Sequence, residues 1–183
     1  MHIIETALPG VLIIEPKVVI DARGSFVEIF QAERYATAGI AGPFLQDNFS
    51  RSSCGVLRGL HLQHPHAQGK LITVLHGRVR DVAVDARRSS PTFGKHVAVE
   101  LSEENGRQLW IPRGFAHGFV VLSGAADVFY KCDALYAPSD ELVVRWNDPA
   151  LGIDWDISNP TLSTRDAAGR LLSEIPNLPA YER

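Results

Sequence analysis

The sequence predicts an all-β protein, a barrel or sandwich of antiparallel strands with a few short helices. Its apolar residues fall in short runs broken by turn residues, at spacings too tight for long helices. Leu71-Ile72-Thr73-Val74-Leu75 meets His76-Gly77 and returns through 79–85, the pattern of strand, tight turn and returning strand. Helical signals are confined to two short stretches.

Taken along the chain, strands are expected at 11–14 and 18–20, two β-branched runs separated by Glu15-Pro16-Lys17, and at 26–30. A short helix over 32–38 would end at Gly39, which tolerates the left-handed conformation of a helix stop. Leu60-His61-Leu62-Gln63-His64-Pro65-His66 reads as a loop between strands. After the hairpin, strands follow at 97–101, 108–111, 119–122, 127–132 and 141–146. Ser163, with Asp166 three residues on, has the spacing of a capping box and could open a second helix. From Asn159 onward the chain is rich in proline and polar residues, as expected of a segment that wraps the surface.

The 183 residues suit one domain spanning 1–183, since no repeat, linker or shift in composition divides them. With 45% hydrophobic and 21% charged residues the chain can build a core without staples, and Cys54 and Cys132 are too few for a disulfide framework. No apolar run approaches the roughly 20 residues that cross a bilayer, and the first residues lack a signal-type pattern. A cytoplasmic protein without a membrane partner is expected. A net charge of -3 argues against broad nucleic-acid binding. Lysine stands only at 17, 70, 95 and 131, so the other basic residues are arginines, suited to forked recognition of phosphate or carboxylate.

Seven histidines raise the question of a metal. His64-x-His66 with the later Pro112-Arg113-Gly114-Phe115-Ala116-His117 approaches the metal-binding pattern of the cupin superfamily. The ligand carboxylate is missing, because Gln68, Gly69 and Lys70 stand where it would fall and an ammonium repels a cation. No metal ligands are therefore assigned. His2, His76 and His96 read as surface or turn residues and His64 and His66 as loop residues, whereas His61 and His117 have the arginine, glycine and apolar neighbours of a strand end opening on a cleft.

An ordered series of blocks narrows the reading further. It runs through 21–28 (Asp-Ala-Arg-Gly-Ser-Phe-Val-Glu), Gln46-Asp47-Asn48-Phe49-Ser50, Gly55-Val56-Leu57-Arg58-Gly59-Leu60-His61, Ala67-Gln68-Gly69-Lys70 and Asp81-Val82-Ala83-Val84-Asp85. Arg88-Ser89-Ser90-Pro91-Thr92-Phe93-Gly94, the stretch 108–119 and Tyr130-Lys131 complete it. From about Glu5 to Asp166 the chain closely resembles the dTDP-4-dehydrorhamnose 3,5-epimerase family, metal-independent enzymes of dTDP-L-rhamnose synthesis with a cupin-type jelly roll.

The resemblance implies a dTDP-sugar with a ketone at C4, proton exchange at C3 and C5, and no cofactor. It assigns His61 as base, Asp166 as the carboxylate that orients it, and Tyr130 as the acid on the opposite face. Asp166 has a second reading, as the partner of Ser163 in the capping box. Lys70 and His117 match residues beside the carbonyl oxygen, where a positive charge stabilises an enolate. Arg23, Phe26, Glu28, Gln46, Asn48, Arg58 and Glu141 match positions that hold the sugar nucleotide and its diphosphate. Tyr136 matches an aromatic that stacks on thymine. Arg165 stands where the family usually has lysine and is taken as a phosphate contact. The family also implies a homodimer, which would cover the edge strands near 11–20. Two other readings stay open: an epimerase acting at C3 or C5 alone, and a ligand-binding or metal-dependent cupin.

Overall fold

A computed structural model describes residues 1–181. Its larger sheet has six antiparallel strands, in the spatial order β1 (His2–Glu5), β2 (Leu12–Glu15), β10 (Gln108–Ile111), β7 (Lys70–His76), β12 (Ala125–Cys132) and β5 (Gln46–Ser53). The second sheet has five, in the order β13 (Glu141–Val143), β6 (Leu57–Gln63), β11 (Phe115–Val121), β8 (Arg78–Asp85) and β9 (His96–Ser102). A separate hairpin joins β3 (Val18–Asp21) to β4 (Gly24–Val27). Two short helices complete the elements that matter here, α1 (Ala32–Thr37) and α2 (Thr164–Ala167). This is the mostly β sandwich that the apolar pattern predicts.

The sheets face each other across a core to which each contributes alternate residues. Ile72, Val74, Leu109, Ile111 and Val128 come from the six-stranded sheet, and Val79, Ala83, Val99, Leu101, Phe115, Phe119 and Val121 from the other. Both outer faces carry second layers. Tyr35 of α1 packs with Ile14, Ile40, Leu71 and Trp110 over the six-stranded sheet. On the opposite side Leu151, Trp155, Leu172, Ile175 and Leu178 pack against Leu60, Leu62, Val82, Ala116 and Val120. Strand β11 is consequently buried at every position, with apolar residues on both faces and His117 turned to the space between the sheets. Packing on the outer face of the five-stranded sheet starts before Asn159, at Val144, Leu151 and Trp155.

Several expected boundaries move. The strand expected at 26–30 stops at Val27, and Phe30 turns away to pack in the outer layer. The strand expected at 141–146 keeps regular pairing only to Val143. His61 lies in β6 and not in a loop, and β5 and β1 were not foreseen. Apolar periodicity misses β5 because its half-buried side chains are Gln46, Asn48 and Ser50, which line a cavity and not a hydrophobic core.

Strand β6 carries one irregularity with large consequences. His61 pairs with His117 and Arg58 with Phe119, so three steps on β6 match two on β11. The extra residue is a β-bulge, and it resets the alternation so that Arg58 and His61 both line the space between the sheets. Leu57, Leu60 and Leu62 meanwhile pack in the outer layer. Gly59 sits in the bulge at φ +115°, and a Cβ there would lie 2.6 Å from Gly118 Cα and 2.6 Å from the His117 carbonyl oxygen. Only glycine fits without moving backbone. Gly59→Ala should therefore destabilise the fold by about 1–3 kcal/mol, as overpacking does. Urea unfolding monitored by circular dichroism measures this, and an unchanged midpoint would contradict it.

Candidate active site

Between the two sheets the apolar core stops short of one end, where polar residues enclose a cavity of about 380 Å3. The six-stranded sheet supplies one wall: Gln46 and Asn48 from β5, Lys70 from β7 and Tyr130 from β12. Cross-strand register sets their neighbours, since Tyr130 pairs with Asn48 and Cys132 with both Gln46 and Lys70. Gln46 Nε2 donates to Asn48 Oδ1 at 3.0 Å, and Asn48 Nδ2 points to Cys132 Sγ at 3.6 Å. Burial pushes the Lys70 ammonium below the usual lysine range, against the opposing pull of Cys132 and Asp81. Burial likewise raises the Tyr130 phenol, while the nearby Arg58 charge acts in the opposite direction.

The five-stranded sheet supplies the facing wall, with Arg58 and His61 from β6, His117 and Phe119 from β11, and Glu141 from β13. Each of the two histidines has its own carboxylate. His117 Nε2 lies 3.0 Å from both oxygens of Asp81, a residue of β8 with no solvent exposure. His61 Nε2 lies 2.5 Å from Asp166 Oδ1. An ionised carboxylate only accepts, so Nε2 of His61 carries the proton in this contact and Nδ1 keeps its lone pair. Glu141 Oε1 is 3.8 Å from Nδ1, too far for a hydrogen bond.

Asp166 makes both of the contacts that the sequence offers as alternatives. It is the third residue of α2, and Ser163 accepts from its N–H at 3.1 Å as the helix cap, while its carboxylate meets His61. Burial acts to raise its pKa, yet the bonds from His61, Ser163 and the Gly59 N–H outweigh this and hold it below the usual carboxylate range. At the mouth, Tyr136 donates to Glu141 Oε2 at 3.0 Å, Arg165 donates to the Tyr136 hydroxyl at 3.2 Å, and Arg165 also pairs with Glu141.

One cavity thus gathers His61, Tyr130, Asp166, Lys70, Gln46, Asn48, Arg58, His117, Tyr136, Glu141 and Arg165. Arg23, Phe26 and Glu28 stand apart from it. Arg23 is bound to Asp21 on the β3–β4 hairpin, Phe26 is 71% exposed, and Glu28 pairs with Arg34. His66 bonds Asp140 at the surface, away from His61 and His117. Among the described residues no three His, Cys, Asp or Glu side chains gather as a cation would require. No helix among the described residues is long and apolar enough to cross a membrane.

Sequence reasoning passed over Asp81 and Ser163 as site residues. Asp81 left a signal, a carboxylate directly before the apolar stretch Val82-Ala83-Val84 of β8, where burial demands a partner. Ser163 was legible as a cap only.

The sequence model of the family described as dTDP-4-dehydrorhamnose 3,5-epimerase matches residues 5–174. This chain belongs to that family. It is 52% identical over 172 residues to the dTDP-4-dehydrorhamnose 3,5-epimerase of Shigella flexneri, covering 93% of this chain and 95% of the relative. The crystal structure of dTDP-6-deoxy-D-glucose-3,5-epimerase from Legionella pneumophila, in complex with dTDP-4-keto-L-rhamnose, superposes with a TM-score of 0.97 at 54% identity, covering 100% of this chain and 99% of that one. A 3'-monoepimerase from Streptomyces bikiniensis, in complex with dTDP-quinovose, gives a TM-score of 0.91 at 35% identity, with 99% of this chain and 93% of that one covered. The cupin-type jelly roll implied by the sequence blocks is thus the fold of this epimerase family.

The depressed pKa of Asp166 has a consequence for stability. A carboxylate whose folded pKa lies below its unfolded value of 3.8 stabilises the fold above that value, and the contribution is lost as pH falls through the folded pKa. Wild type should therefore exceed Asp166→Asn in unfolding free energy by a wider margin at about pH 5 than at about pH 3. Chemical denaturation at both values tests this; an equal margin would mean that the carboxylate gains nothing from its partners.

Proposed function

We propose that the chain converts dTDP-4-dehydro-6-deoxy-D-glucose to dTDP-4-dehydro-L-rhamnose by inverting C3 and C5, a step of dTDP-L-rhamnose biosynthesis. The observation that carries this reading is the pairing, across one cavity, of an imidazole held by a carboxylate on one sheet with a phenol on the other. Inversion next to a ketone needs a base on one face of the ring, an acid on the other, and positive charge or donors at the oxygen between them. His61 Nδ1 removes the proton from C3 or C5, and the electron pair moves to the C4 oxygen as an enolate. The Lys70 ammonium and the His117 ring stabilise that oxygen, and Asp81 fixes the His117 ring. Tyr130 then delivers its phenolic proton to the opposite face of the carbon. The imidazolium and the phenolate return to their starting states by proton exchange with solvent, so the cycle needs no redox partner.

Gln46, Asn48, Arg58 and Glu141 hold the sugar nucleotide, with Arg58 and Arg165 on the diphosphate and Tyr136 on the thymine. Arginine forks match phosphate oxygens, and stacking tolerates many bases, so Tyr136 gives affinity more than choice of nucleotide. Action at both carbons is favoured over action at one by the higher identity to 3,5-epimerases, 52% and 54%, than to the 3'-monoepimerase, 35%.

The test is turnover of dTDP-4-dehydro-6-deoxy-D-glucose in deuterated water, with the label located by NMR. His61→Ala should slow exchange at both carbons by about 10²–10⁴, the usual effect of losing a general base. Tyr130→Phe keeps the ring and its packing but removes the donor, so exchange through His61 should persist while inversion at C5 fails. Normal yields of the doubly inverted sugar from Tyr130→Phe would show that another group is the acid.

The remaining site residues support a homodimer. Arg23, Phe26 and Glu28 lie outside their own chain's cavity, on or beside a hairpin whose Val18, Val19, Ile20 and Phe26 are exposed. An apolar ribbon of this kind calls for a covering surface, and the residues assigned to substrate can reach it only at the cavity of a second copy. A mixture of His61→Ala and Arg23→Ala chains, unfolded and refolded together, should then regain turnover that neither has alone. In the mixed dimer one cavity receives both an intact His61 and an intact Arg23. A mixture no more active than the average of its parts, or a monomer by analytical ultracentrifugation, would count against this assembly.

A further inference from the structure

Ser163 precedes α2 and lines the cavity, and its hydroxyl makes two bonds to one residue. The oxygen accepts from the Asp166 N–H at 3.1 Å, the ordinary duty of a helix N-cap. The hydroxyl proton goes to Asp166 Oδ2 at 2.8 Å. In the usual capping box a glutamate or glutamine at this third position reaches back to the backbone N–H of the cap. Aspartate is one methylene shorter, and here its carboxylate takes the proton of the cap side chain. The backbone N–H of Gly59, from the bulge in β6, also favours the ionised form of the same carboxylate. Oδ1 is then directed to His61 Nε2 at 2.5 Å.

We propose that Ser163 is a positioning residue for the catalytic pair, its hydroxyl fixing the rotation of Asp166 that offers Oδ1 to His61. The terminal torsion of an aspartate is broad and has no sharp wells, so packing alone leaves the carboxylate plane loosely set. Asp166 is buried at 4% exposure, which leaves little access for water to take the place of a missing donor. The donor that sets the plane must therefore come from the protein. A carboxylate rotated away from Nε2 no longer holds the imidazole with Nδ1 towards the substrate, and small errors in the aim of a base are costly. The same serine begins the helix that carries Asp166, so folding of this turn and alignment of the base share one side chain.

This inference rests on the reading of His61 as the base, and the experiment separates the two. Ser163→Gly is the informative variant, because glycine starts helices nearly as well as serine but has no hydroxyl. Expected are a melting temperature near that of wild type, a kcat lower by about tenfold to a hundredfold, and a KM that barely changes. Ser163→Thr, which keeps the hydroxyl, should recover most of the lost rate. A folded Ser163→Gly with wild-type kcat, or a folded Ser163→Thr as slow as the glycine variant, would overturn the proposal. Wild-type and His61→Ala proteins are run beside them on dTDP-4-dehydro-6-deoxy-D-glucose in deuterated water. Wild-type protein that exchanges nothing defeats the reading of the site, whereas exchange lost in His61→Ala and retained in Ser163→Gly defeats only the role of Ser163.

Discussion

The bulge at Gly59 is the constraint on which the site depends. A regular strand would send residues three apart to opposite faces, and Arg58 and His61 would then lie on different sides of the sheet. One extra residue brings both into the cavity while Leu57, Leu60 and Leu62 stay in the outer layer. The bulge can form because residue 59 has no Cβ, which would lie 2.6 Å from both Gly118 Cα and the His117 carbonyl oxygen of the neighbouring strand. The Gly59 N–H also favours the ionised form of Asp166. One backbone irregularity therefore aims the imidazole and helps to hold the carboxylate beside it.

That carboxylate arrives from 105 residues away in sequence, and packing brings it there. The C-terminal segment buries Trp155, Leu172, Ile175 and Leu178 against the five-stranded sheet, and each such side chain stabilises the docked form by roughly 1.5–3 kcal/mol. Trp155 also donates its indole N–H to the Trp146 carbonyl at 2.8 Å, so its polar edge is satisfied inside the layer. Parallel bridges join Val56 to Thr161 and Val144 to Arg170 on either side of α2. With both ends pinned, the short helix has little freedom to move away from His61. Burial energy at the outer layer is in this way turned into alignment at the inner one.

Electrostatics divides the space between the sheets into two ends. The dry end holds Val74, Leu101, Phe115 and their neighbours, and the other holds two histidine–carboxylate pairs, a lysine and two arginines. A buried ammonium such as Lys70 costs solvation energy, and the negative charge of Asp81 offsets part of it. In the proposed reaction the enolate offsets more, which is how a site of this kind favours the transition state over the resting one.

Local patterning was enough to announce the class of fold, because core strands such as β8, β11 and β12 bury apolar residues and must show it. It also announced both short helices, through Gly39 and through Ser163 with Asp166. The ordered sequence blocks named the family, and eleven of the residues that the family resemblance singles out meet in one cavity. Periodicity overlooked β5 and placed His61 in a loop, since strands that line a polar cavity carry the side chains usually found in turns. Two properties belonged to tertiary structure alone. One is the bulge of β6, because a glycine in a sequence does not say which backbone will pass close to it. The other is the double use of Asp166 as helix cap partner and histidine partner, which local spacing presents as alternatives. Spacing records neighbours along the chain, and only the docking of the C-terminal segment decides which neighbour in space the second carboxylate oxygen will meet.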